Sequence, residues 1–158
     1  MSISSFHAKE QRRFKAKIGV FLILEQDDQI LMLRRHGTGI EDGLYVVPMG
    51  GVDESETPLA AVVREAREEV GIEVRPEDLQ FVHLTYRKHT MPDGYVFYQQ
   101  DLFFRATDFS GKIINGEPEK ADDVRFFQKD ALPANVSPFI AHALECVKKG
   151  IVYSEFGF

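Results

Sequence analysis

The chain has no tryptophan and a single cysteine, Cys146, in 158 residues. One cysteine excludes an intrachain disulfide and any cysteine-built metal site, and it points to a reducing compartment, the cytoplasm. No apolar run reaches the roughly 20 residues that a membrane-spanning helix requires, so no membrane partner is expected. Residues 1–13 lack the apolar stretch of a secretory leader, and none is expected. Internal repeats, linkers and low-complexity tracts are missing as well. What is present suffices for one packed core. Hydrophobic residues make up 44% of the chain, with 13 Phe and 5 Tyr, in a length that suits one domain.

Basic residues are the scarcer charge, 19 against 25 acids, for a net charge of −6. An even excess of acid would favour solubility and count against nucleic acid as a partner. The excess is not even. Residues 53–78 hold nine acids and three bases, and the other 132 residues balance at 16 of each. The whole field therefore sits on one segment.

Residues 1–15 are polar and read as a flexible, locally basic arm, with Lys9, Arg12, Arg13, Lys15 and the adjoining Lys17 against Glu10. Residues 16–158 read as the domain. The run Ile18-Gly19-Val20-Phe21-Leu22-Ile23-Leu24 suits a strand covered on both faces. Residues 30–35 form the second arm of a hairpin, 36–43 a loop, and 44–47 a short strand stopped by Pro48. After a loop over residues 49–56 comes a helix with signals at both ends. Thr57 can cap it, Pro58 suits its first position and Gly71 its C-terminal exit. Leu59, Val63, Ala66 and Val70 fall on one stripe at about 100° per residue, with Val62 at its edge. Strands are expected over residues 79–90, 96–106 and 124–127, then a last helix over 137–149. That order predicts an α/β fold with a mixed sheet and helices on its faces.

On the first helix Glu65, Glu68 and Glu69 stand at i, i+3 and i+4, which places three carboxylates on one patch. Like charges at that spacing destabilise a helix by about 0.2–0.5 kcal/mol per pair. A hard oxygen-rich patch is also what Mg²⁺ or Mn²⁺ prefers, and a bound cation would reverse the repulsion. A solvated acidic face is the plain alternative, with Arg64 and Arg67 as structural partners.

The flanks decide between these. Gly50, Glu56, Arg64, Glu65, Glu68, Glu69 and Gly71 fit the spacing G-x5-E-x7-R-E-x2-E-E-x-G, closed by Ile72. A chance match to seven fixed positions is on the order of one in a million at average residue usage. This stretch, residues 50–72, resembles the Nudix box, the signature of hydrolases that cleave nucleoside diphosphates linked to another group. The resemblance implies an α/β/α sandwich with a mixed β-sheet between helices. It implies that Glu65, Glu68 and Glu69 bind Mg²⁺ or Mn²⁺, joined by the Gly50 carbonyl. It implies that Arg64 and Glu56 orient those glutamates. Arg64 also counts among the catalytic set. A general base often comes from the loop before the last strand; Glu119 and Glu117 are both candidates, and Glu119 is assigned to the site.

Substrate is less legible. Arg34, Arg35, Tyr45 and Tyr86 are candidate substrate contacts. His83, His142 and Cys146 read as packed residues, and strand aromatics such as Tyr98, Phe103 and Phe104 as core. No proline stands about sixteen residues after the box, as often accompanies ADP-ribose hydrolysis in the family. Compact size favours a MutT-like nucleoside triphosphate pyrophosphohydrolase, releasing a monophosphate and pyrophosphate. Hydrolysis of ADP-ribose or a nucleotide sugar, or a nucleotide-binding regulatory module, are the alternatives. The expected partner is a small-molecule nucleotide, and exposed strand edges would permit a homodimer.

Overall fold

A computed structural model describes residues 3–158. A helix, α1 (Ile3–Gln11), opens the described chain with no buried residue, in the segment expected as an arm. Residues 1 and 2 of that arm lie outside the described residues. The domain proper then runs β1 (Lys17–Gln26), β2 (Gln29–Arg35), β3 (Tyr45–Val46), β4 (Met49–Gly51), α2 (Pro58–Val70) and β5 (Ile72–Glu73). It continues with a short 3₁₀ turn, β6 (Gln80–Thr90), β7 (Val96–Ala106), β8 (Ser110–Gly111), β9 (Ala121–Gln128), α3 (Pro138–Lys148) and β10 (Tyr153–Phe156).

The eight-stranded sheet has the order β10-β6-β7-β1-β2-β3, with β4 added to β1 and β9 to β2. Pairing is mixed. β1 runs parallel to β7, and β6 parallel to β10, while β6–β7 and β2–β9 are antiparallel. The apolar run in β1 lies at the centre, and Val20, Phe21, Leu22, Ile23 and Leu24 are all buried. α2 packs on β1 and β4, and α3 on β6 and β10, giving the expected mixed α/β layering. No helix among the described residues is long and apolar enough to cross a membrane.

Three details depart from expectation, and each bears on the site. Residues 49–51, expected as loop, form β4, paired to β1 through Met49–Phe21, Gly50–Val20 and Gly51–Gly19. The buried stripe of α2 is Ala61, Val62, Ala66 and Val70, whereas Leu59 is exposed. The small Ala61 lets that edge of the helix lie close to the sheet, which turns the glutamate patch partly inward. A last strand, β10, extends the sheet beyond β6 and is followed by Phe158 at the chain end.

Candidate active site

α2 carries the carboxylates, and its ends are fixed locally. The Thr57 hydroxyl accepts the Ala60 N–H at 3.2 Å, Pro58 occupies the first turn, and Gly71 closes the helix at φ 72°. Such a cap contributes about 1 kcal/mol. The loop over residues 112–117 then folds back on the helix end, with the Gly116 N–H donating to the Glu69 carbonyl at 2.9 Å. A β-carbon on Gly116 would stand 2.0 Å from the Glu68 carbonyl oxygen, so only glycine allows this approach.

Arg64 is the hub of the patch. Its Nε and Nη2 both donate to Glu56 at 3.0 Å, and Nη2 also reaches the Gly51 carbonyl at 2.9 Å. Its Nη1 donates to Glu65 at 2.6 Å and to Glu68 at 3.1 Å. One guanidinium thus ties β4, the loop before α2 and two helix glutamates together. Hydrogen bonds from Arg64 and from the Asp53 N–H hold the Glu56 carboxyl below the usual range. The structure thus brings Arg64 and Glu56 into direct contact.

Glu65 meets β4 from the other side. A β-carbon on Gly50 would lie 1.8 Å from Glu65 Oε1, so the bare glycine is the space that Glu65 occupies. Burial raises the Glu65 pKa, opposed by Arg64. Glu69 Oε2 accepts the Met49 N–H at 2.7 Å. It keeps a narrow opening to solvent but is packed closely by protein. That burial, with Glu65 and Glu117 nearby, pushes its pKa up to about 8 despite the Met49 bond.

The donor set, all carboxylate and carbonyl oxygen, fits a hard divalent cation. Among the described residues, however, no three acidic side chains converge as ready-made ligands. Arg64 holds Glu65 and Glu68, and the Met49 amide holds Glu69.

Two cavities flank Gly50, of about 200 and 210 Å³, with Arg35, Met49 and Gly50 in the wall of both. The first adds Glu69, Glu117, Lys120 and Thr38. Glu117 lines it and receives the Lys120 ammonium at 2.7 Å, whereas Glu119 is exposed and outside it. The second adds Glu41, Arg87, His89, Phe97 and Gln99. A larger cavity, about 450 Å³, lies apart from the box between α3 and the β1–β2 turn.

The substrate candidates divide. Arg35 faces both cavities, held by the Ile40 carbonyl at 2.7 Å and the Thr38 hydroxyl at 2.9 Å. Arg34, one residue earlier on β2, points to the other face and forks onto Asp122 at 2.7 and 3.1 Å. Tyr45 is buried; its hydroxyl donates to Asp123, and its ring packs edge-on against Phe127. Tyr86 packs in a three-ring cluster with Tyr98 and Phe158, on the opposite face of β6 from Arg87. Arg34, Tyr45 and Tyr86 therefore line neither cavity. Arg87, His89 and Glu41, not assigned from sequence, line the second cavity instead. Alternation along β6 was the available signal for Arg87 and His89; Glu41 had none. His83 is fully buried, bonded to Ile151, Thr85 and Ser154, and Cys146 is packed, as expected.

A mixed α/β sandwich with a carboxylate-rich helix facing a glycine strand defines the class. The NUDIX domain family matches residues 13–145, and the chain belongs to that family. It is 36% identical over 87 residues to an RNA pyrophosphohydrolase of Psychrobacter cryohalolentis, covering 55% of this chain and 47% of the relative. It is 26% identical over 115 residues to the NAD-capped RNA hydrolase NudC of Stutzerimonas stutzeri, covering 73% of this chain and 37% of that protein. The chain spans about half the length of the first relative and less of the second. Among solved structures, a MutT NUDIX hydrolase from Burkholderia pseudomallei superposes with a TM-score of 0.74 at 26% identity, over 84% of this chain and 98% of that one.

Proposed function

We propose that the protein is a divalent-metal-dependent hydrolase of a diphosphate linkage in a nucleotide, with Mg²⁺ or Mn²⁺ as the cofactor. The observation that carries this reading is the cluster around Arg64 and Gly50. Glu65 fills the space beside the bare Gly50, Arg64 holds Glu65 and Glu68, and Glu69 lines a cavity with Arg35, Lys120 and Glu117. Glu65, Glu68, Glu69 and the Gly50 carbonyl would hold the cation. When bound, it neutralises the diphosphate and lowers the pKa of a coordinated water.

The chain's own groups do the rest. Arg64 and Glu56 fix the direction from which Glu65 and Glu68 approach. Arg35 and Lys120 offer positive charge to the phosphates across the cavity. Glu117, which lines the same cavity, would take the proton of the attacking water in preference to Glu119, which lies outside it. The product pair is a nucleoside monophosphate and pyrophosphate from a triphosphate. Several relatives carry names that specify an RNA substrate, and the exposed basic residues Lys9, Arg12 and Arg13 make an RNA 5′ end the second reading. The single buried cysteine supports a cytoplasmic location.

A panel of nucleoside triphosphates, ADP-ribose, nucleotide sugars and 5′-triphosphorylated RNA, each with Mg²⁺ and with products identified by mass, tests the proposal. A diphosphate product pair from one of them is expected. No turnover of any member alongside measurable nucleotide binding would replace it with a regulatory module.

A further inference from the structure

The cavity on the far side of Gly50 from Glu69 is walled in part by Arg87, whose buried partner Asp101 lies behind it, a charge pair that the hydrolytic chemistry does not use. Arg87 on β6 donates from Nε to Asp101 Oδ2 at 2.5 Å and from Nη2 to Oδ1 at 3.3 Å. Asp101 is fully buried and Arg87 nearly so. The guanidinium carbon lies 4.0 Å from the centroid of the Phe139 ring. The Gln99 side chain also bonds to Asp101, and it fits only because Gly19 has no side chain: a β-carbon there would meet Gln99 Nε2 at 2.2 Å. Burying a charge pair is costly unless its geometry is well satisfied. Here the structure holds one arginine in one orientation, at the wall of an open cavity.

That orientation decides what Arg87 can bind. Asp101 takes the Nε–Nη2 side of the guanidinium. Nη1 and the second hydrogen of Nη2 remain, a parallel pair of donors. Nη1 stands 3.5 Å from His89 Nδ1, and both residues line the cavity. Burial and the neighbouring Arg87 charge lower the His89 pKa, which favours the neutral ring. Across the cavity, Glu41 receives the Ser137 hydroxyl at 3.0 Å and has acceptor capacity to spare. Phe97 and Phe139 supply flat apolar wall.

Arg87 is neutralised by Asp101. Arg35, held by the Ile40 carbonyl and the Thr38 hydroxyl, stands in the wall that the two cavities share and serves the phosphate side. Beyond it this cavity offers the Glu41 carboxylate and no unpaired cation, so the part of a ligand that fits there is neutral, planar and aromatic. A parallel donor pair matches two adjacent acceptors. O6 and N7 of a 6-oxopurine are such a pair, whereas adenine sets an amino donor beside N7. The carboxylate opposite suits the N1–H of the same ring and the amino group of guanine.

We propose that this cavity binds the base of a 6-oxopurine nucleotide. Arg87 reads O6 and N7, Glu41 reads the N–H edge, and Asp101 is a positioning residue for Arg87. This deepens the hydrolase reading and rests on it for the location of the phosphates, across Gly50 beside Glu69.

Steady-state kinetics with GTP, ITP, ATP, 7-deaza-GTP and 8-oxo-GTP tests it, with calorimetric titration of GDP and ADP in the same Mg²⁺ buffer. GTP and ITP should exceed the other three in kcat/KM by about tenfold or more, since ATP, 7-deaza-GTP and 8-oxo-GTP each break the acceptor pair. In Glu41→Gln and in Asp101→Asn the GTP-to-ATP ratio should shrink to within about threefold, in Asp101→Asn chiefly through KM. The paired variant Arg87→Met with Asp101→Leu removes both charges together and covers failure of a single variant to fold. Equal kcat/KM for GTP and ATP overturns the proposal, as does an unchanged ratio in these variants. Tighter binding of GDP than of ADP without any hydrolysis would sink the hydrolase reading and leave the base site standing. Hydrolysis with no base preference would do the reverse.

Discussion

Gly50 and Glu65 compete for one volume: a β-carbon on Gly50 would lie 1.8 Å from the Glu65 carboxylate oxygen. The strand glycine and the helix glutamate are therefore one feature. Gly50→Ala displaces the end of a side chain while leaving the backbone free to keep its path. It should lower activity by about a hundredfold with only a small fall in melting temperature. Activity and thermal unfolding measured on the same preparation check this, and loss of both together would mean that Gly50 serves folding alone.

Arg64 couples Glu56 to the helix. The Glu56 pKa is depressed in the folded state, chiefly by the hydrogen bond from Arg64. Stability from that pair is present above the unfolded carboxylate pKa and is lost as pH falls through the folded value. In Arg64→Met, the loss of stability on acidification should be shallower than in the wild type. Urea midpoints across the acid range read the slope. Equal slopes would remove the pair from the stability account.

His83 sets a second pH dependence. Burial holds its pKa below the ordinary 6.5. The unfolded chain therefore binds a proton that the folded chain resists, and stability falls as pH drops below about 6.5. Its partners tie β6 to Ile151 and Ser154, so the same protonation should loosen the β10 edge first. His83→Gln should flatten the neutral-to-acid slope. Hydrogen exchange of the β10 amides at two pH values reports where the loosening begins.

Glu117 and Glu119 give a direct comparison within one loop. Glu117 lines the Glu69 cavity and Glu119 does not. A general base contributes about 10²–10⁴-fold, so Glu117→Gln should lose activity on that scale and Glu119→Gln should lose little. The opposite ranking would return the role to Glu119.

The acidic field of residues 53–78 makes a polyanion an unwelcome ligand without a cation. Chelation should therefore weaken binding of GDP, measured by calorimetry without turnover, by tenfold or more on the order of one or two unscreened charge contacts. Equal affinity with and without Mg²⁺ would show that the cation plays no part in binding.

Local signals explain what could be read from the chain. Thr57, Pro58 and Gly71 bound α2 because caps act within one turn, and the box spacing carried the carboxylates with it. What the chain does not make legible is which face a strand residue takes. Arg34 and Arg35 are adjacent on β2, and Tyr86 and Arg87 on β6. In each pair the residue that reaches a cavity is set by strand parity, and parity is not fixed where both faces of a strand are covered. β4 was missed because two of its three residues are glycine, which disfavours strand by propensity; its pairing with β1 supplies the order instead. Leu59 lies on the apolar stripe by period but is exposed, standing in the first turn of α2. Arg87 and Asp101 stand 14 residues apart, and only the β6–β7 pairing brings them together.

The most direct measurement is Mg²⁺-dependent hydrolysis of a nucleotide by the wild type, Glu68→Gln and Glu69→Gln, with circular dichroism on each. The account predicts folded variants in which hydrolysis falls by about a hundredfold or more, since each loses a carboxylate meant for the cation. Full activity in both folded variants would contradict it.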